Sequence, residues 1–230
     1  LKFKTAKNYE DFAYAQKFAA KKLINELKKH SLYYKNIYEI GCGCGVLTKF
    51  ILKELDFKDI ILNDIYKSDF MNGNFSTQIG DIRDIKMPSN LDLIVSSSVF
   101  QWFDKRGEFE KLIDKIYLSL NSGGIFAFCM FINGTLYELS SFTKQGLNYK
   151  TDKEILSLLS DFKILNFIND EYIAKFNNLK ELLNHLKQTG VNNINGNFKL
   201  TKSSILALEN HFENDFSLSY KFINVVCKKA

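Results

Sequence analysis

Asn36-Ile37-Tyr38-Glu39-Ile40-Gly41-Cys42-Gly43-Cys44-Gly45 is the stretch on which the fold turns. Its first half reads as a buried strand, and three glycines at alternate positions then let the chain bend sharply and lie close against a bound molecule. Val46 to Leu55 follows with apolar residues at helical spacing. A strand, a glycine turn and a helix in this order form a nucleotide-type pocket. The alternation continues outward. Asp59 to Asn63 is a short buried strand ending at Asp64, and Leu91 to Ser96 is another. Glu108 to Leu120 is a helix, and Asn121-Ser122-Gly123-Gly124 is a stop before the strand Ile125 to Phe131. Such alternation predicts βαβ units and a parallel sheet, an α/β fold.

Upstream, Phe12, Ala15, Ala19, Leu23 and Leu27 recur every three or four residues and predict an amphipathic helix over 12–27. The last third changes rhythm, with helices over 153–159, 179–187 and 203–212, an extended run over 162–176 and a closing strand over 217–227. There is one proline, Pro88, and no repeat or low-complexity linker, so residues 1–230 read as a single domain. Within it, 1–30 is an N-terminal helical segment, and 134–150 with 178–214 is an insertion expected to form a lid.

Apolar residues make up 46% of the chain, enough for a sizeable core, but no run is long enough to span a membrane. The Lys-rich start lacks the apolar segment and cleavage site of a signal peptide, so a soluble, cytoplasmic, monomeric protein is expected. Cys42 and Cys44 lie in the glycine turn and Cys129 and Cys227 in strand-like runs, with no second ligand pair at metal-binding spacing, so no metal is expected. The net charge of +5 is local: residues 1–30 hold eight Lys against Glu10, Asp11 and Glu26, leaving the rest of the chain neutral. A patch of this kind can recruit an acidic partner; a solvated helix face is the plain alternative.

The chemistry is expected at the carboxyl ends of the strands. A dinucleotide fingerprint would read Gly-x-Gly-x-x-Gly; here the spacing is Gly-x-Gly-x-Gly, and Glu39 stands two residues before it. A strand-borne acid suits the cationic methionyl ammonium of S-adenosylmethionine better than a pyrophosphate. Asp64, at the end of the second strand, can accept both ribose hydroxyls. Gly80-Asp81-Ile82 offers an acid for the adenine amine and an apolar cover for the ring.

Beyond these residues the whole chain resembles the malonyl-acyl-carrier-protein O-methyltransferases of biotin synthesis. The resemblance is carried by Phe3-x-x-Ala6-x-x-Tyr9 with the downstream Gln16, by Ser96-Ser97-x-x-x-Gln101-Trp102 and by Gly134-Thr135-Leu136-x-Glu138-Leu139. Leu186-Lys187-x-x-Gly190-Val191, Leu200-Thr201-Lys202-Ser203 and Leu218-Ser219-Tyr220 extend it. Ser97 stands where that family often has Asn, and Cys44 where it often has Pro. The resemblance implies a Rossmann-like class I methyltransferase, with a mostly parallel seven-stranded sheet flanked by helices and a helical lid insertion. It implies methyl transfer from S-adenosylmethionine to the free carboxylate of malonyl-acyl carrier protein, giving the methyl ester that primes pimeloyl synthesis.

For the site, the resemblance implies Tyr9, Gln101 and Trp102 at the reacting end, with core packing as the competing reading of the two aromatics. Gln16, Cys42, Ile65 and Ser97 then join Glu39, Gly41, Gly43, Asp64, Asp81 and Ile82 around the cofactor. A guanidinium clamp for the substrate has two candidates, Arg83 and Arg106, the only arginines in the chain. His30, His185 and His211 lie on predicted helices with no paired acid, so no general base is assigned. Lys17, Lys21, Lys22, Lys28 and Lys29 are the expected dock for an acidic carrier protein. The nearest alternative is a carboxyl methyltransferase acting on a free small acid. A nucleic-acid-binding module is disfavoured because the recognised motifs are absent.

Overall fold

The computed structural model describes residues 9–103, 105, 107–190 and 201–230. Seven strands, β1 Tyr33–Ile40, β2 Asp56–Asp64, β3 Ser76–Ile79, β4 Leu91–Ser97, β5 Leu120–Phe131, β6 Phe162–Lys175 and β7 Ser217–Lys229, form one sheet in the order β3-β2-β1-β4-β5-β7-β6. The first five in that order pair in parallel. β7 is antiparallel to both its neighbours, so the sheet is mixed. The chain runs outward from β1 to β3 and returns to place β4 on the other side of β1. That reversal opens a crevice at the carboxyl ends of β1 and β4.

Among the described residues eight α-helices accompany the sheet: α1 Tyr9–Phe12, α2 Tyr14–Leu27, α3 Val46–Glu54, α4 Glu108–Ser119, α5 Tyr137–Thr143, α6 Asp152–Leu158, α7 Leu179–Gln188 and α8 Lys202–Phe212. The central strands are covered on both faces, which is why they read as apolar runs. Adjacent residues of β1 show it: Ile37 belongs to the buried cluster that includes Leu23, Leu27 and Leu62, and Tyr38 to the separate cluster that includes Phe100, Phe126 and Phe128. The second cluster holds a group of stacked and tilted aromatic rings, with Phe100 and Phe109 5.0 Å apart and Phe126 stacked on Phe128 at 4.8 Å.

Three expectations change. The single helix over 12–27 is broken at Ala13 (φ −79°, ψ 48°), so Tyr9 and Phe12 ride on a separate turn. The stop at 121–124 lies inside β5: pairing jumps from Leu91–Leu120 to Leu93–Ile125, and Gly123 takes φ +77° where the extra residues bulge. The seventh strand, β3, is an exposed polar edge of four residues with no apolar period to announce it. No described helix is long and apolar enough to cross a membrane. Among the described residues no cluster of three His, Cys, Asp or Glu could hold a metal.

Candidate active site

The carboxyl end of β1 delivers Glu39 into the crevice, 1% exposed, with one carboxylate oxygen accepting from Thr48 Oγ1 at 2.8 Å. Burial raises its pKa to about 8; the Thr48 hydrogen bond opposes that rise and the nearby Asp64 charge adds to it. The turn then takes positive φ at Gly41 (+71°), Gly43 (+55°) and Gly45 (+83°). The three are not equivalent. A Cβ at Gly41 would lie 2.3 Å from Val99 Cγ2 and one at Gly45 2.5 Å from the Phe70 ring, whereas one at Gly43 would meet nothing within 4 Å among the described residues. Gly41 and Gly45 are glycine for packing; Gly43 borders open space in the crevice.

Asp64, at the end of β2, receives the Gly43 N–H at 2.8 Å and the Tyr66 N–H at 3.0 Å, so it also holds the turn in shape. Beside it Ile65 is 45% exposed, an apolar platform on the surface of the crevice. Cys42 is buried below the turn, its N–H on the Asn63 carbonyl at 2.9 Å. Asp81 is already engaged, receiving Arg83 Nε at 2.9 Å and Nη2 at 2.5 Å. That guanidinium keeps the Asp81 carboxyl below its ordinary range. Arg83 also reaches Glu108 at 3.0 Å, so its fork is occupied away from the reacting end. Ile82 is buried among the aromatic cluster. Arg106, the second candidate for a clamp, lies outside the described residues, as do Phe3, Ala6, Val191 and Leu200 of the matched segments.

Past β4, Ser97 Oγ lies 3.5 Å from Ser98 Oγ, and Ser98 takes φ +61°. A cavity of about 50 Å3 opens here, room for one or two waters. Tyr9, Gln16, Gln101 and Trp102, the residues expected at the reacting end together with one cofactor residue, all line it. Ser98, Thr135, Leu136, Tyr149, Thr189 and Tyr220 join them, and none was anticipated from its own local pattern, although the matched segments pass through several. Gln101 Nε2 donates to the Ser98 carbonyl at 2.6 Å, while Gln101 Oε1 and Gln16 Oε1 are buried acceptors with no partner among the described residues. Burial pushes the Tyr9 phenol pKa up, and the charge Cys44 would carry as a thiolate acts in the same direction; burial raises Tyr149 and Tyr220 as well. Leu136, at φ +55°, is a second residue of the cavity wall in the left-handed region, where strain is tolerated for position.

The far wall is stitched to β7. Leu136 N–H donates to the Ser219 carbonyl at 2.7 Å, Ser219 Oγ donates to Glu138 at 2.6 Å, and Thr135 Oγ1 donates to the Lys221 carbonyl at 2.7 Å. His185 is buried in α7 with Nε2 2.8 Å from the Tyr220 hydroxyl. His30 and His211 are exposed and bonded to Asn166 and to the Glu138 carbonyl. A larger hollow of about 450 Å3 lies at the opposite, amino-terminal edge of the sheet, among His30, Tyr34, Gly123 and Lys228, away from the strand ends described above. Of the five docking lysines, Lys22 pairs with Asp170 (2.9 Å), Lys28 with Glu54 (2.5 Å) and Lys29 with Glu26 (2.6 Å). α2 runs from the cavity at Gln16 to the amino edge at His30, so Lys28 and Lys29 lie roughly 18 Å along the helix from Gln16.

Residues 38–128 match the model of a methyltransferase domain. The chain is 35% identical over 193 residues to a malonyl-acyl-carrier-protein O-methyltransferase of Calditerrivibrio nitroreducens, covering 83% of this chain and 78% of that one. It is 30% identical over 250 residues to the enzyme of the same name from Bacteroides thetaiotaomicron, covering 98% and 95%. Among solved structures, the N-methyltransferase NodS of Bradyrhizobium japonicum in complex with S-adenosyl-L-homocysteine superposes with a TM-score of 0.55 at 14% identity, over 95% of this chain and 87% of that one.

Proposed function

The chain belongs to the malonyl-acyl-carrier-protein O-methyltransferase family, and from that premise we propose that it methylates the free carboxylate of malonyl-acyl carrier protein with S-adenosylmethionine. The observation that supports the reading most is convergence: Tyr9, Gln16, Gln101 and Trp102, from separate stretches of chain, share one cavity, whose wall residue Ser98 precedes the Val99 that packs against Gly41 of the glycine turn.

The residues present fit the cofactor. Gln16 and Gln101 hold two buried oxygens without donors, Glu39 is a buried acid, and Gly43 leaves open the space a side chain would fill. Glu39, with Gln16, would take the methionyl ammonium; Gly41, Cys42 and Gly43 would present backbone; Asp64 would take the ribose, with Ile65, Asp81, Ile82 and Ser97 around the rest. When bound, the cofactor supplies a methyl group on a sulfonium, which the carboxylate oxygen takes as the S–C bond breaks, leaving a neutral ester and a thioether. The substrate needs no general base, because a carboxyl group titrating near 4 is ionised at pH 7. The chain contributes alignment and exclusion of water. Tyr9 and Trp102 would wall the path of the malonyl group, and Gln101, braced on Ser98, would fix its edge.

The elements within 134–150 and 178–214 would act as a lid. α5 is tied to β7 through Glu138, and Thr189, the residue that follows α7, lines the cavity. Lys17 and Lys21, near the cavity end of α2, would lead the docking of the acidic carrier protein, with the three paired lysines contributing charge farther along. The protein would work as a cytoplasmic monomer. Initial rates with labelled S-adenosylmethionine and malonyl-acyl carrier protein, malonyl-coenzyme A or free malonate test the reading. Preference for the carrier protein is expected; equal or better use of free malonate would overturn it in favour of a small-acid methyltransferase.

A further inference from the structure

The proton on His185 can be placed from its surroundings. Its ring is 2% exposed, stacked on Tyr14 at 5.8 Å with an interplanar angle of 5°, and tilted against Phe176 at 5.0 Å. Nε2 lies 2.8 Å from the Tyr220 hydroxyl, and Nδ1 is buried with no hydrogen-bond partner among the described residues. A neutral imidazole carries one N–H and one bare nitrogen. With the proton on Nδ1 a buried N–H would be orphaned, the rarer and costlier defect; with it on Nε2 only an acceptor is left unused. Nε2–H therefore donates to the Tyr220 oxygen. Burial pulls the His185 pKa down to about 4 and pushes Tyr220 up, so both stay neutral at physiological pH.

A phenol whose oxygen accepts still has its own hydrogen to give. Tyr220 lines the cavity, and no residue that lines it among those described carries a formal charge. We propose that His185 is a positioning residue that turns the Tyr220 hydroxyl hydrogen into the cavity, where it holds the substrate carboxylate. This rests on the carboxyl-methylation reading above. A neutral anchor suits the reaction: the carboxylate loses its charge as the new O–C bond forms, so a guanidinium would stabilise the ground state more than the transition state. The phenol orients the oxygen without quenching it.

The test has two arms. On the cofactor-free protein, 15N-edited NMR of the His185 ring reports the tautomer directly; protonated Nε2 is expected, and protonated Nδ1 would overturn the inference whatever the substrate is. In kinetics with malonyl-acyl carrier protein, Tyr220→Phe should lower kcat/KM by about 10- to 100-fold, the scale of one hydrogen bond to a charged group, with S-adenosylmethionine affinity by calorimetry unchanged. His185→Leu should lose as much, the double variant no more, and His185→Gln, which keeps an N–H, should recover most of the loss. Singles whose losses multiply in the double variant, or a Tyr220→Phe enzyme with wild-type kcat/KM, would overturn it. Wild-type protein that fails to methylate malonyl carrier protein would instead sink the reading it rests on, and the NMR arm would still stand.

Discussion

The two halves of the crevice are made of different material. On the cofactor side the walls are backbone: three positive-φ glycines, strand ends, and an aspartate whose oxygens receive the Gly43 N–H of the turn and the N–H of Tyr66. On the side proposed for the substrate they are side chains from remote elements, with Tyr9 on α1, Gln101 after β4, Thr135 after β5 and Tyr220 on β7. A backbone-built site tolerates many side chains but not an added Cβ. A side-chain-built site changes specificity one residue at a time. The first therefore suits a cofactor common to many enzymes, and the second an acceptor particular to one.

The largest effect expected is on the backbone side. Gly43→Val puts a branched side chain into space that no described atom within 4 Å of the Cβ fills, so no overlap opposes folding and the cost is the backbone strain of a β-branched residue at φ +55°, about 2 kcal/mol. Cofactor affinity by calorimetry should fall more than about 100-fold, the equivalent of roughly 3 kcal/mol. An affinity within a few-fold of wild type would break the assignment of that space.

Glu39→Gln comes next. Because the buried acid titrates near 8, it is mostly protonated at pH 7 in the free protein, and an arriving ammonium should expel that proton. Calorimetry in buffers of different ionisation enthalpy should show proton release on binding, absent in the variant, together with about a 10-fold loss of affinity. No difference in proton count would contradict the ammonium contact.

The same two halves should oppose each other in stability against pH. Glu39 binds its proton more tightly when folded, so stability falls as pH rises from about 4.5 to 8. His185 binds its proton less tightly when folded, so stability falls as pH drops from about 6.5 towards 4. Melting profiles should lose slope on the alkaline arm in Glu39→Gln and on the acid arm in His185→Gln, at roughly 2 to 4 °C per kcal/mol. Profiles parallel to wild type would remove these groups as the cause.

Smallest is the effect of surface charge. Lys17→Glu with Lys21→Glu should raise KM for malonyl carrier protein by ~2- to 10-fold at low salt and leave malonyl-coenzyme A unchanged, since exposed pairs contribute only about 0 to 1 kcal/mol each. Wild-type kinetics at low salt would move the docking surface off α2.

The backbone side was largely legible in the sequence. β1, β2 and β4 are apolar runs ended by Gly, Asp and Ser, and the glycine spacing marks the turn without reference to anything distant. β3 was not legible, because a short polar edge has no period. The Arg83–Asp81 pair, two residues apart, was within reach of local reasoning; the Arg83–Glu108 contact needed the packing of α4. The substrate side depends on contacts such as His185–Tyr220 and Thr135–Lys221, separated by 35 and 86 residues, which no local pattern encodes. Only the matched segments around Gly134–Leu139, Leu186–Gly190 and Leu218–Tyr220 hinted that these stretches meet.

The position of the transferred methyl group tests the account most directly. Malonyl-acyl carrier protein incubated with the enzyme and methyl-labelled S-adenosylmethionine should acquire label that mild alkali releases as methanol, the signature of an ester on the free carboxylate. Label that resists alkali, or none on the carrier protein, would contradict it.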